Sequence, residues 1–221
     1  MASLAQSDAI DVWFSLLAPT YDQCVAPLFW PEKLQRRPLE GLPIQSDDRV
    51  LDLGCGTGET STHLGDAAVD GLDRSRDQLM RGTQKDALEP VRFVQADGAA
   101  LPYVDDAFDH VVSVGSMLYW SHPVEILEEA ARVTKPGGSI MVLGFHRRSL
   151  SPWNPVQNAQ ELAMAPYYQR HTRAEAAELF SEAGWTVLEQ TVTGPAWCPN
   201  LVLETVARQP HASSSVEHRE K

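Results

Sequence analysis

The chain has 221 residues, of which 43 % are hydrophobic, and this suits one domain of ordinary size with a real core. Its formal net charge is −12, from 30 acidic and 18 basic residues, so most of its surface would repel nucleic acid and nucleic acid is not expected as a partner. No apolar run reaches the roughly 18 residues of a membrane span, and residues 1–10 lack the pattern of a secretory signal.

The three cysteines are far apart in the sequence, at Cys24, Cys55 and Cys198. This spacing argues against a zinc site and against a disulfide framework, and it predicts a reducing, cytoplasmic location. The acidic, lysine-poor composition fits a salt-adapted host and an acidic mesophilic protein equally well.

The pattern of the chain predicts four parts. Residues 1–48 have helical periodicity and aromatic content, so they form a helical cap that either covers one edge of the core or closes over a ligand. Residues 49–207 form the main domain. Within them the proline- and aromatic-rich stretch 146–171 is a lid insertion. The polar, serine-rich residues 208–221 form a disordered tail.

Strands and helices alternate through the main domain. Helices are predicted over 59–65, from Ser75 with its capping-box spacing, over 123–134 up to a turn at 135–138, and over 172–184. Strands are predicted at 49–53, 67–73, 91–94, 108–114, 139–145, 185–190 and 201–207. This order indicates an α/β fold with a mostly parallel sheet, helices on both faces and an antiparallel final pair.

A glycine turn, Gly54-x-Gly56-x-Gly58, follows the first strand, and an acid, Asp73, ends the second. Ligands of such sheets bind past the carboxyl ends of the strands. Glycines let backbone N–H groups approach a nucleotide-like cofactor, and an acid in the position of Asp73 accepts hydrogen bonds from ribose hydroxyls. Asp97 follows the third strand and is placed to meet an adenine amino group. Glu59 would repel a pyrophosphate, which favours S-adenosylmethionine over a dinucleotide.

These motifs resemble those of class I S-adenosylmethionine-dependent methyltransferases that act on small molecules. The resemblance covers the glycine motif at 50–58, the acid motif at 69–75, the adenine loop and fourth strand at 96–109, and the helix and turn at 128–138. It implies a Rossmann-like, seven-stranded sheet whose last strand inserts antiparallel. It also implies S-adenosylmethionine as cofactor, with no metal required.

The resemblance also implies roles for individual residues. Asp52 would lie near the methionine ammonium, Asp73 would hold the ribose hydroxyls, and Asp97 would take the adenine amino group. The other implied cofactor contacts are Gly54 and Gly56 at the methionyl and ribose part, Arg74 beside the adenine, Gly98 or Ala99 at the ring, and Ser113 near the transferable methyl. Candidates for a base that assists the acceptor are Tyr119, His122 and His146.

The acceptor is less sharply indicated. The run 14–22 resembles the N-terminal segment of quinone and sterol C-methyltransferases, which implies that Tyr21 lies over the cofactor. Three hypotheses follow: C-methylation of an isoprenoid quinone such as a demethylmenaquinone, methylation of a soluble secondary metabolite, and a non-catalytic cofactor-binding module. The first implies a lipid-like acceptor and peripheral membrane contact. The chain would act as a monomer or a homodimer.

Overall fold

The computed structural model describes residues 26–148, 155, 158–159 and 168–211. Tyr21, most of the predicted lid and residues 212–221 of the predicted tail lie outside the described residues. The division into cap, lid and tail therefore stays a prediction. Over the described residues, no helix has the length and apolar character needed to cross a membrane.

The elements alternate as the sequence predicts. The helices are α1 (Ala26–Phe29), α2 (Glu32–Gln35), α3 (Arg37–Gly41), α4 (Arg76–Gly82), α5 (Pro123–Val133) and α6 (Arg173–Glu182), with 3-10 turns at Thr60–His63, Asp86–Leu88 and Met117–Tyr119. The strands are β1 (Arg49–Leu53), β2 (Ala68–Asp73), β3 (Arg92–Gln95), β4 (Phe108–Val114), β5 (Thr134–His146), β6 (Arg170–His171), β7 (Thr186–Thr193) and β8 (Val202–Arg208).

One sheet organises the described residues, in the order β3-β2-β1-β4-β5-β8-β7. Strands β1 to β5 are parallel, whereas β8 runs antiparallel to both β5 and β7. The two-residue strand β6 pairs with the end of β5. The Rossmann-like sheet with an inserted antiparallel last strand is thus confirmed, and β6 is an addition that the sequence pattern did not predict.

Two local differences from the predicted elements have physical causes. The predicted turn at 135–138 is a bulge inside β5, because Thr134 pairs with Phe108 and Ser139 already pairs with His110. The predicted helix at 59–65 is a single 3-10 turn. Its hydroxyl side chains form other hydrogen bonds: those of Thr60, Ser61 and Thr62 bond to Gln35, Asp52 and the Glu59 carbonyl.

The predicted helix caps are present. Ser75 caps α4 by accepting a hydrogen bond from the N–H of Gln78. Thr172 and Glu175 form a complete capping box at the start of α6. That helix ends at Glu182, two residues before the predicted end, and Gly184 just beyond it has a φ of 84°, the left-handed conformation that glycine adopts most readily.

Hydrophobic clusters cover both faces of the sheet, as expected for strands that are buried on both sides. One cluster includes Trp30 and Leu34 of the cap segment together with Met141 and Phe145 of β5. The described part of the cap therefore packs on the sheet near the carboxyl end of β5.

Candidate functional site

A cavity of about 370 Å³ lies where β1, β2 and β4 end. Nine of the predicted site residues line it: Gly54, Gly56, Asp73, Arg74, Asp97, Gly98, Ala99, Tyr119 and His122. These nine residues come from four separate loops, and the topology of the sheet brings these loops together at the carboxyl ends of its strands, as parallel strands require.

The glycine turn forms one wall of the cavity. The N–H groups of Gly54 and Cys55 donate to the carbonyl of Leu72, over 2.7 and 3.0 Å, so the turn is fixed to β2. Gly56 has a φ of 55°, and a Cβ atom there would meet no atom within 4 Å. The backbone at Gly56 thus faces open space, which is the shape needed for a cofactor to lie against the turn.

Asp73 holds two segments of the wall together. Its Oδ2 atom accepts a hydrogen bond from the N–H of Gly56 at 2.9 Å, and its Oδ1 atom accepts one from the N–H of Ser75 at 2.8 Å. The side chain therefore fixes the glycine turn relative to the start of α4. The sequence indicated a ligand contact for Asp73 but not this second task.

The loop after β3 is also preorganised. Asp97 Oδ1 accepts a hydrogen bond from the N–H of Ala99 at 3.0 Å, and the Ala96 N–H donates to the Asp73 carbonyl. Gln95 donates its side-chain amide to the carbonyl of Arg74. These bonds set the loop after β3 against the end of β2, next to Asp73.

Asp52 and Ser113 are close to the cavity but are not among the residues that line it. Asp52 is buried, and its Oδ2 atom accepts a hydrogen bond from the hydroxyl of Ser61 at 2.6 Å. Burial raises the pKa of Asp52 to about 7, although the Ser61 hydrogen bond opposes the change and the charge of Asp73 adds to it. Asp52 therefore lies beneath the turn as a carboxyl group that titrates near neutral pH.

The expected repulsion between Glu59 and a pyrophosphate is not supported by the structure. The Glu59 carboxylate is paired with the ammonium of Lys85, which also donates to the Thr57 hydroxyl at 3.1 Å. This pairing offsets the charge of Glu59, so that residue does not distinguish the two cofactor classes. The cofactor assignment depends instead on the strand-end acids and on the family described below.

The three candidate bases are not all at the cavity. Tyr119 and His122 line it, and His122 is well exposed, with Nδ1 3.8 Å from Glu125 Oε1. His146 is not among the lining residues, and its Nδ1 atom lies 3.4 Å from the carbonyl oxygen of Asn200. Among the described residues, no cluster of His, Cys, Asp and Glu side chains could hold a metal ion.

Several residues of the wall were not predicted. Gln35 of α2 reaches the cavity, accepts a hydrogen bond from Thr60 and donates one to the Trp30 carbonyl at 3.2 Å. Trp30 packs so closely on Gly115 that a Cβ atom there would lie 2.6 Å from the indole ring. Ser116 and Trp120 line the cavity from the loop after β4. No motif indicated these residues, because their position depends on packing between distant segments.

The fold and the site together define a Rossmann-like domain that binds a nucleotide-like cofactor at its strand ends. Residues 51–142 match the family described as "Methyltransferase domain". The chain thus carries a class I S-adenosylmethionine-dependent methyltransferase domain, which confirms the resemblance and the cofactor inferred from the motifs.

Curated relatives share the sequence over different lengths. A chloroplastic 2-methyl-6-phytyl-1,4-hydroquinone methyltransferase of Oryza sativa is 32% identical over 84% of this chain and 56% of its own. A demethylmenaquinone methyltransferase of Renibacterium salmoninarum is 31% identical over 67% and 64%. A 27-O-demethylrifamycin SV methyltransferase of Amycolatopsis mediterranei is 34% identical over 47% and 41%. The chain thus spans about half the length of the curated relatives it matches.

Solved structures share the fold at lower sequence identity. The [4+2]-cyclase SpnF has a TM-score of 0.74 at 20% identity and covers 92% of this chain and 96% of its own. A SAM-dependent methyltransferase of Aquifex aeolicus has a TM-score of 0.65 at 19% identity, with 88% and 97% covered. A cyclase and a methyltransferase share this architecture, so these likenesses establish the fold alone.

Proposed function

We propose that the protein transfers a methyl group from S-adenosylmethionine to a small apolar or aromatic acceptor, and that the acceptor is an isoprenoid quinol methylated at carbon. The observation that carries the proposal is the meeting, in one cavity, of a preorganised cofactor wall and an aromatic wall. The glycine turn, Asp73 and Asp97 form the first wall, and Tyr119 begins the second.

From Tyr119 at the cavity, a chain of aromatic contacts continues through the protein interior. Tyr119 lies edge-on to Tyr168, with ring centroids 5.7 Å apart, and Tyr168 lies edge-on to Phe145 at 5.5 Å. Phe29 then connects Phe145, at 6.1 Å, with Trp197, at 5.6 Å. Trp197 is 48% exposed, which is unusual for so large a side chain. Phe145 is only 4% exposed, so the aromatic surface open to an acceptor is that of the rings that line the cavity, Trp30, Tyr119 and Trp120, and it suits an acceptor with an aromatic head.

Methyl transfer requires that the acceptor be aligned with the methyl group and that the acceptor lose one proton. S-adenosylmethionine supplies a methyl group activated by a sulfonium, so the protein has to align the acceptor in line and exclude water. Asp73 would hold the ribose hydroxyls, Asp97 the adenine amino group and Asp52 the ammonium, directly or through water. His122 or Tyr119 would accept the proton of the acceptor hydroxyl, because both line the cavity.

The relatives support this acceptor class and also an alternative. The rice and Renibacterium enzymes are named for a phytyl hydroquinone and a demethylmenaquinone. The Amycolatopsis enzyme is named for a rifamycin, and the net charge of −12 would oppose an anionic membrane surface. A soluble aromatic metabolite is therefore the second candidate acceptor. The proposed quinol acceptor entails contact with the membrane surface; the proposed location remains cytoplasmic.

The test is a parallel acceptor screen. The full chain is incubated with S-adenosylmethionine and either demethylated quinols of graded prenyl length or soluble phenols, and mass spectrometry records a gain of one methyl group. We expect methylated quinol, with turnover rising as the prenyl chain lengthens. Methylation of phenols alone would favour the alternative. Calorimetric binding of S-adenosylhomocysteine with no methylated product from either panel would indicate a cofactor-binding module.

The proposed proton acceptor is tested with three variants. His122→Ala and Tyr119→Phe remove candidate groups at the cavity, and His146→Ala serves as the matched control because His146 does not line it. We expect a loss of roughly 100-fold in kcat for whichever cavity residue acts as base. A loss in the His146 variant, with the other two unchanged, would contradict the assignment.

A further inference from the structure

We infer that Ser116 is a positioning residue, which holds the acceptor side of the cavity at a fixed distance from the cofactor side. The inference rests on the proposed methyl transfer, in which the glycine turn binds the cofactor and the loop at 115–122 meets the acceptor. Ser116 is half-buried and lines the cavity, and its hydroxyl connects the loop after β4 to Leu53, which precedes the glycine turn.

The hydrogen bonds of the Ser116 hydroxyl use its full capacity. Its Oγ atom lies 3.1 Å from the carbonyl oxygen of Leu53, 2.6 Å from Ser113 Oγ and 3.1 Å from Trp120 Nε1. A carbonyl can only accept, so the Ser116 proton goes to Leu53, and Ser113 and Trp120 must be the donors. A hydroxyl has one donor and two acceptor positions, and all three are occupied.

The other contacts of Ser116 leave it little freedom to move. A Cβ atom on Gly54 would lie 2.3 Å from Ser116 Cβ and 2.5 Å from its Oγ, so the first glycine of the turn leaves room for this serine. Gly54 has a φ of 75°. Glycine is thus required at position 54 for a second purpose besides cofactor approach, because it allows the loop after β4 to pack directly on the turn.

This arrangement fixes residues on both sides of the reaction. Leu53 precedes the glycine turn, whereas Trp120 lies in the loop that carries Tyr119 and His122, and its indole ring lines the cavity. Because one hydroxyl bonds to Leu53 and Trp120 at the same time, it sets the separation of the cofactor and acceptor walls. With no free donor or acceptor position, Ser116 contacts neither reacting atom chemically and acts through its neighbours.

The decisive variant is Ser116→Ala, which keeps the Cβ atom against Gly54 and removes all three hydrogen bonds. We expect the Kd for S-adenosylhomocysteine, measured by calorimetry, to change by less than about threefold, since the turn keeps its bonds to Leu72. Amide hydrogen exchange over residues 115–122 should rise about fivefold, the effect of losing one net hydrogen bond. With a methylated acceptor in hand, kcat should fall roughly 10- to 100-fold.

A matched control is Thr134→Val, which removes a buried hydroxyl whose hydrogen bond, 2.7 Å to the Ala130 carbonyl, lies at the amino end of β5, whereas the cavity lies at the carboxyl ends of the strands. It should lower the melting temperature without changing kcat or the exchange of residues 115–122. In a double-mutant cycle with Trp120→Phe, the loss from both changes together should be smaller than the sum of the separate losses, because both remove the Ser116–Trp120 bond, whereas Ser116→Ala also removes the bonds to Leu53 and Ser113.

Two results would overturn the inference. One is unchanged exchange over 115–122 in Ser116→Ala. The other is a fall in S-adenosylhomocysteine affinity as large as the fall in kcat, which would place Ser116 in cofactor binding. The exchange and calorimetric measurements need no acceptor, so they test the inference even if the acceptor screen fails and the proposed function is wrong.

Discussion

Asp73 combines two tasks in one side chain, since its carboxylate anchors Gly56 and Ser75 and faces the cavity. Asp73→Ala should therefore release the turn as well as remove the proposed ribose contact. We expect affinity for S-adenosylhomocysteine to fall at least about 100-fold, from the loss of several charge-assisted hydrogen bonds. Calorimetry measures this. The control, Asp77→Asn, changes an exposed acid on α4 and should bind normally; near-normal binding by the Asp73 variant would contradict the site.

Asp52 should make stability depend on pH in an unusual direction. Burial raises its pKa from 3.8 to about 7, so the folded state binds a proton more tightly than the unfolded state does. The contribution of Asp52 is therefore fully present below pH 4 and is lost as the pH rises to about 7. Relative to Asp52→Asn, the free energy of unfolding should fall by on the order of 3 kcal/mol across this range. Urea denaturation at pH 4, 5.5 and 8 measures it, and parallel pH profiles for both proteins would refute it.

At the scale of elements, the described cap is joined to the sheet by an ion pair between α3 and β8. Arg37 donates from Nε and Nη2 to the two carboxylate oxygens of Glu204, over 2.6 and 2.7 Å. Glu204 is only 2% exposed, so this bidentate ion pair stabilises its charge in the protein interior. The pair positions the segment that supplies Trp30 and Gln35 to the cavity.

Arg37→Met alone should destabilise the protein more than the double change that replaces both Arg37 and Glu204 by Met. The single change leaves a buried carboxylate without its guanidinium and should cost about 3–5 kcal/mol in unfolding free energy, whereas Arg37→Met with Glu204→Met should recover much of that loss. Chemical denaturation of the single and double variants checks the order. A double variant as unstable as the single one would show that the pair matters for its shape and not for its charge.

The elements divide into those that local sequence determines and those that it does not. Hydrophobic patterning predicted the strands. The caps at Ser75 and Thr172 could also be predicted, because capping is a contact between residues that are close in the sequence. The 3-10 turn after the glycines was missed because its hydroxyls bond to residues outside the turn. The Arg37–Glu204 pair and the bond from Ser116 to Leu53 were missed for the same reason, since these partners are distant in sequence.

The site shows the same division. Residues implied by the motifs, from Gly54 to Ala99, line the cavity because the motif fixes both the strand end and the loop. His146 is the last residue of β5, at the same end of the sheet, but it does not line the cavity, because a place at a strand end does not set the direction of a side chain. Tyr21 lies outside the described residues, and its contact with the cofactor stays a prediction.

At the scale of the whole molecule, the net charge of −12 is the property most open to test. Repulsion among like charges destabilises the compact state, and salt screens it. We expect the melting temperature to rise by about 3–6 °C between 0.05 and 1 M NaCl, equivalent to roughly 1–2 kcal/mol for a chain of this size. Scanning calorimetry with S-adenosylhomocysteine absent measures it; a lower melting temperature in salt would contradict it.

The inserted position of β8 has a consequence for the order in which the protein assembles on the ribosome. Strands β1 to β5 are neighbours and can pair as they emerge, but among the described strands β7 pairs with β8, which lies between it and β5. Strand β7 therefore cannot join the sheet until residues 202–208 have left the exit tunnel, although α6 has been synthesised by then. A ribosome that pauses before Val202 would hold a nascent chain whose β5 edge is exposed, because β8 takes an interior place in the sheet although it is the last of the described strands along the chain.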